Sequence, residues 1–84
     1  MDRFSEEQIK KINSVLKEQR INVDLNNEAN LQKSLTDLGI DSLSALKIIV
    51  NLEEKFNIHM DDQEIAKVKN LQELTDLLYK TINK

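Results

Sequence analysis

The chain has 84 residues, a net charge of −3, no proline, no cysteine and one glycine. That size gives a single domain over residues 1–84 with a modest core, and the scarcity of proline and glycine favours long helices over turn-rich β folds. Disulfides and thiolate metal sites are excluded, and an acidic chain without a basic cluster is a poor ligand for nucleic acid, whose binding runs on phosphate neutralisation.

The first element announces itself at Ser5, with Gln8 three residues on, a capping box. Ile9, Ile12 and Leu16 then fall on one helical stripe with Val15 beside them, which predicts a helix over about residues 5–19. From Arg20 to Ile40 the pattern weakens. Ile21, Val23 and Leu25 alternate as in a short extended segment, and Asn22, Asn26, Asn27 and Asn30 are turn formers. Leu31, Leu35 and Leu38 are expected to pin this connection to the core, through a helical turn.

The run Leu38-Gly39-Ile40-Asp41-Ser42-Leu43 opens the next helix, expected over residues 42–56. Gly39 permits a sharp change of direction. Asp41 can serve as N-cap, accepting from free N–H groups of the first turn. Ser42 then stands at the positive end of the helix dipole with its hydroxyl near solvent, where a phosphodiester on that oxygen would be stabilised. Sorted by the helical period, Ala45, Ile48, Ile49, Leu52 and Phe56 share one face, and Leu43, Leu46, Lys47, Val50 and Glu54 the opposite one. A small bundle buries one stripe of a helix. The first face, uncharged and ending in Phe56, is assigned to the core; the second, apolar with two charges, is assigned to partner docking.

Asp61 with Glu64 marks a short third helix over about residues 61–67, with Ile65 and Val68 inward and Met60 packed just before them. Asn70 with Glu73 repeats the capping pattern, and Leu71, Leu74, Leu77, Leu78 and Ile82 give the last helix a continuous apolar stripe. No apolar run approaches membrane-spanning length and the N-terminus lacks a signal-peptide pattern, so no membrane insertion and a cytoplasmic location are expected.

Catalytic equipment is sparse. The single histidine, His59, falls beyond the far end of the 42–56 helix from Ser42, and no base close in sequence would activate that hydroxyl. Asp61, Asp62 and Glu64 lack the length and the central glycine of a calcium loop and are assigned to helix capping, with no metal site.

Leu38, Gly39, Asp41, Ser42 and Leu43, with Ile40 at the variable place, resemble the Leu-Gly-x-Asp-Ser-Leu run of the acyl and peptidyl carrier proteins. Asp37 before the run and Glu53-Glu54-Lys55-Phe56 at the helix end extend the likeness over nearly the whole chain. The resemblance implies an all-α fold: a four-helix bundle of acyl-carrier type with a short third helix and a long, packed first loop. It implies a carrier rather than an enzyme, acting as a monomer. Ser42 would bear a 4′-phosphopantetheine arm taken from coenzyme A, with Asp41 and Gly39 as the supporting motif, and acyl, aminoacyl or peptidyl groups would ride on it as thioesters. Expected partners are a magnesium-dependent phosphopantetheinyl transferase, an acyl- or aminoacyl-loading enzyme, and downstream synthases or transferases. Ile40, Leu43, Leu46, Lys47, Val50 and Glu54 are the expected docking residues. Carriers of primary fatty-acid synthesis usually present acids just after the attachment serine, whereas Ser44 and Lys47 stand here and the pI is about 5.1. A discrete carrier for polyketide, nonribosomal-peptide or specialised lipid synthesis is therefore expected. The alternatives are a primary fatty-acid-synthesis carrier and an unmodified helical adaptor that docks partners through the same helix.

Overall fold

The computed structural model describes residues 3–84; Met1 and Asp2, the first two residues of the expected 1–84 unit, lie outside the described residues. The described chain is all-helical, in the order α1 (Glu6–Glu18), α2 (Glu28–Gln32), α3 (Ser42–Phe56), α4 (Asp62–Ile65) and α5 (Leu71–Ile82). Three long helices make the bundle, α4 is the expected short one, and α2 is a helical turn within the long first connection. α1 packs on α3, while α2 and α4 pack on α5.

Each start follows from a cap. Ser5 Oγ accepts from the Gln8 N–H at 3.1 Å and Gln8 Oε1 accepts from the Ser5 N–H at 2.9 Å, the complete capping box. Asn27 caps α2 through the Ala29 N–H. Asp61 caps α4 through the Gln63 N–H at 2.8 Å. Asn70 caps α5 through the Glu73 N–H, and the Glu73 carboxylate accepts from Lys69 N–H.

The ends show how a chain with one glycine closes its helices. After α1 the Ile21 N–H reaches the Leu16 carbonyl at 2.9 Å and the Arg20 N–H reaches Lys17, a Schellman closure. It requires a left-handed residue, and Arg20 takes that place at φ 61. Asn57 does the same after α3 at φ 52, with the Ile58 N–H on the Glu53 carbonyl at 3.0 Å. Asparagine accepts this conformation readily; for arginine it costs about 1–2 kcal/mol.

The core draws Ile12, Val15 and Leu16 from α1, Ile48, Ile49 and Leu52 from α3, and Leu71, Leu74, Leu77 and Leu78 from α5. Leu25, Leu31 and Met60 add to it from the connections. Ile21 and Val23 are half-buried, and their extended segment joins no strand among the described residues. Phe4 is buried as well, in an edge-on contact with Tyr79 at 5.5 Å between ring centroids. It immediately precedes the Ser5 cap, the place from which an apolar side chain staples a helix start.

Two assignments change. Phe56 is half-buried rather than central, because it lies in the last turn of α3 where the bundle ends; the Lys11 ammonium covers its ring at 5.3 Å. Ile40, expected on the docking surface, is 2% exposed and belongs to the core. The turn before α3 points it inward, so its place before the helix says nothing of the helix's outer face.

Candidate functional site

The site is built by a turn that winds back on itself. The Asp37 N–H donates to Ser34 Oγ, the Gly39 N–H to the Thr36 carbonyl at 3.0 Å, and the Ile40 N–H to the Leu35 carbonyl at 2.8 Å. Gly39 stands at φ 78, a conformation that L side chains avoid, while no atom outside residues 38–40 lies within 4 Å of where a Cβ would sit. Backbone conformation, not space, calls for glycine here. Ile40 then drops into the core, and Asp41 and Ser42 emerge on the exposed side.

Asp41 is the N-cap of α3, its Oδ1 accepting from the Ser44 N–H at 2.8 Å. The hydrogen bond from the Ser44 backbone, then that from the Ser44 hydroxyl, hold the Asp41 carboxyl below its ordinary value, with the Lys47 charge adding to the effect. Ser42 is the first helical residue and is exposed. The Ser42 and Leu43 N–H groups donate to no protein group among the described residues, so two donors at the positive end of a 15-residue helix face outward beside the hydroxyl.

His59 is exposed, its Nδ1 3.1 Å from a Glu53 carboxylate oxygen that also accepts from the Met60 N–H. It follows the far end of α3, about 22 Å of helix away from Ser42, so the structure brings no histidine to the hydroxyl. The outer face of α3 is laid bare: Leu43 is 61% exposed, Leu46 52% and Val50 43%, with Lys47 and Glu54 exposed among them. Of the six expected docking residues, only Ile40 is absent from that face.

Beside Ser42 opens a groove of about 610 Å³, within the ~300–1,000 Å³ range of small-molecule sites. Leu35, Ile40, Ala45, Ile49, Ile65 and Val68 supply its apolar lining, and Ser34, Thr36, Asp41, Ser42 and Lys69 its polar groups. Sequence periodicity did not reveal it, because it forms where three segments distant in the chain meet: residues 34–36, the start of α3, and residues 65–69.

An exposed hydroxyl, two helix N–H groups without a protein acceptor and an amphipathic groove thus lie together at the start of α3. The model of the phosphopantetheine attachment site family matches residues 11–78. The chain belongs to that family. Its relatives include an acyl carrier protein homolog of Ureaplasma parvum, 36% identical over 63 residues, covering 75% of this chain and 78% of that one. One from Mycoplasma genitalium is 38% identical over 64 residues, 76% and 75% of the two chains. An acyl carrier protein of Cyanidium caldarium is 34% identical over 80 residues, 93% and 90%. No solved structure gave a significant match. The family's group is 4′-phosphopantetheine, covalently attached, and its members carry intermediates rather than catalyse.

The cap predicts a pH dependence. A carboxylate held below its ordinary value contributes its stabilisation fully above that value, near 3.8, and loses it as pH falls through the lower folded value. Asp41→Asn keeps an acceptor oxygen but cannot titrate. Thermal melts of both proteins should show wild type ahead at pH 7, with the gap closing below about pH 4. A gap that stays constant or widens in acid would contradict the assignment.

Proposed function

We propose that Ser42 bears the phosphopantetheine arm and that the chain, as one monomeric domain, carries acyl groups as thioesters on the arm's thiol. One observation supports this above the others: Ser42 alone among the motif residues combines an exposed hydroxyl with the open N-terminus of a long helix. Among the described residues no side chain accepts a hydrogen bond from that hydroxyl, and the attaching transferase is proposed to activate it, with coenzyme A as donor and magnesium as its metal. The thiol belongs to the arm, so a chain without cysteine can hold thioesters. Acyl rather than aminoacyl cargo is favoured by the relatives described above, all named as acyl carrier proteins. No helix among the described residues is long and apolar enough to cross a membrane, and the cytoplasm is proposed as the place of work.

The exposed face of α3 suggests a specialised acyl pathway, such as polyketide or unusual lipid synthesis. Leu43, Leu46 and Val50 form its apolar centre, and Lys47 places a positive charge beside Leu43, where carriers of primary fatty-acid synthesis usually present an acid. A partner that recognises acids with a basic patch meets repulsion there. Such charge sets partner choice and encounter rate more than final affinity.

Two outcomes are expected. Incubation with coenzyme A, magnesium and a broad-specificity phosphopantetheinyl transferase should add one pantetheinyl group by intact mass, and Ser42→Ala should abolish the addition while leaving the helical spectrum unchanged. Full modification of that variant would place the arm elsewhere; none on wild type would favour an unmodified adaptor. Lys47→Glu should quicken acyl transfer by a transferase of primary fatty-acid synthesis several-fold at low salt, about 1 kcal/mol at most, and the gain should shrink as salt screens it. Equal rates for both proteins at low salt would remove the case for a specialised pathway.

A further inference from the structure

Lys69 is an exposed cation in the loop before α5, and it lines the same groove as Ser42. Its backbone is fixed from both sides. The Lys69 N–H donates to the Glu73 carboxylate at 2.8 Å, and its carbonyl accepts from the Leu35 N–H at 3.0 Å. The next residue, Asn70, forms an isolated antiparallel bridge with Ser34. The segment that carries Lys69 is thus stitched to the segment that leads into the Gly39 turn, and the root of the lysine is held at a set place relative to Ser42. Its ammonium makes no ion pair among the described residues.

A phosphodiester on Ser42 would sit next to the Asp41 carboxylate, which stays ionised at neutral pH. Lys47 offers these anions a positive charge from the outer face of α3, and Lys69 offers one from the groove side. We propose that Lys69 pairs with the phosphodiester of the arm on Ser42 and so holds the arm along the groove until a partner enzyme draws it out. This rests on the attachment reading above. The groove suits the rest of the arm: the Ser34 and Thr36 hydroxyls offer hydrogen bonds to its amides, and Leu35, Ile65 and Val68 offer contact to its methyl-bearing carbons. The pair is solvent-exposed, so the held state is a partial population, sensitive to salt.

The absence of cysteine supplies the probe. A thiol-reactive nitroxide placed on the pantetheinylated protein labels the arm alone, and its paramagnetic-resonance line shape separates held from free arms. The proteins to compare are wild type, Lys69→Gln, Lys69→Arg and Lys67→Gln. Lys67 makes the same charge change two residues away, outside this groove. Lys69→Gln should lower the held-to-free ratio by about two- to fivefold at low salt, Lys69→Arg and Lys67→Gln should keep it near wild type, and high salt should erase the difference. Indistinguishable spectra for wild type and Lys69→Gln at low salt would overturn the pairing, as would an equal fall in Lys67→Gln, which would mean a general charge effect. Intact mass, read first, separates this failure from the other one: a wild type that takes no arm overturns the attachment reading and the pairing with it.

Discussion

The functional end of this molecule depends on one backbone torsion. Gly39 at φ 78 reverses the chain between Leu38 and Ile40, so that Ile40 falls inward to 2% exposure. Asp41 and Ser42 then stand exposed, the first as the cap of α3 and the second in its first turn. Burial of one isoleucine, about 1.5–3 kcal/mol, fixes the register at which α3 begins. The register decides that the cap is Asp41 and that the first helical residue is a serine. Without the left-handed turn, either Ile40 would be exposed or Ser42 would be turned toward the core.

The same register divides α3. Ile48, Ile49 and Leu52 hold the bundle, while Leu43, Leu46 and Val50 remain in water. A folded domain of this size has little core to spare, yet these three side chains keep 43–61% of their surface exposed. Their exposure places an apolar face beside Ser42 on one short stretch of helix, so that on the proposed reading an enzyme that engages this face meets the arm at its root. Lys47 and Lys69 flank the stretch on different sides, one on the outer face of α3 and the other in the groove between α3 and α4. Under the proposals above, the first acts on which partner approaches and the second on where the arm rests.

The three long helices were legible in the sequence because each carries both a cap and a stripe, and α4 was legible from its cap. Ser5-Gln8, Asp41, Asp61 and Asn70 mark the starts, and the structure has a helix following each. The geometry of the 38–43 run was legible for the same reason, as a cap with a serine behind it. Less was visible where position depends on the fold as a whole. Phe56 sits on the apolar face of α3, but periodicity does not reveal where a bundle ends, and the ring lies half-buried under Lys11. Ile40 precedes the helix, so helical sorting could not place it. Phe4 could have been found as the apolar residue before the Ser5 cap. The groove and Lys69 could not, since the bridge between Ser34 and Asn70 that brings their segments together spans half the chain and leaves no local pattern.

The stability of Gly39→Ala by chemical denaturation tests the left-handed turn most directly, because two readings of this glycine differ in sign. Outside residues 38–40 a Cβ here meets no atom within 4 Å, so the added methyl clashes with no packed neighbour. If the residue were in an ordinary conformation, alanine would stabilise the protein by about 0.4–1 kcal/mol through the unfolded chain. At φ 78 a loss of about 1–2 kcal/mol is expected instead. A variant as stable as wild type, or more so, would contradict the left-handed conformation, and with it the claim that this turn sets Ser42 at the mouth of α3.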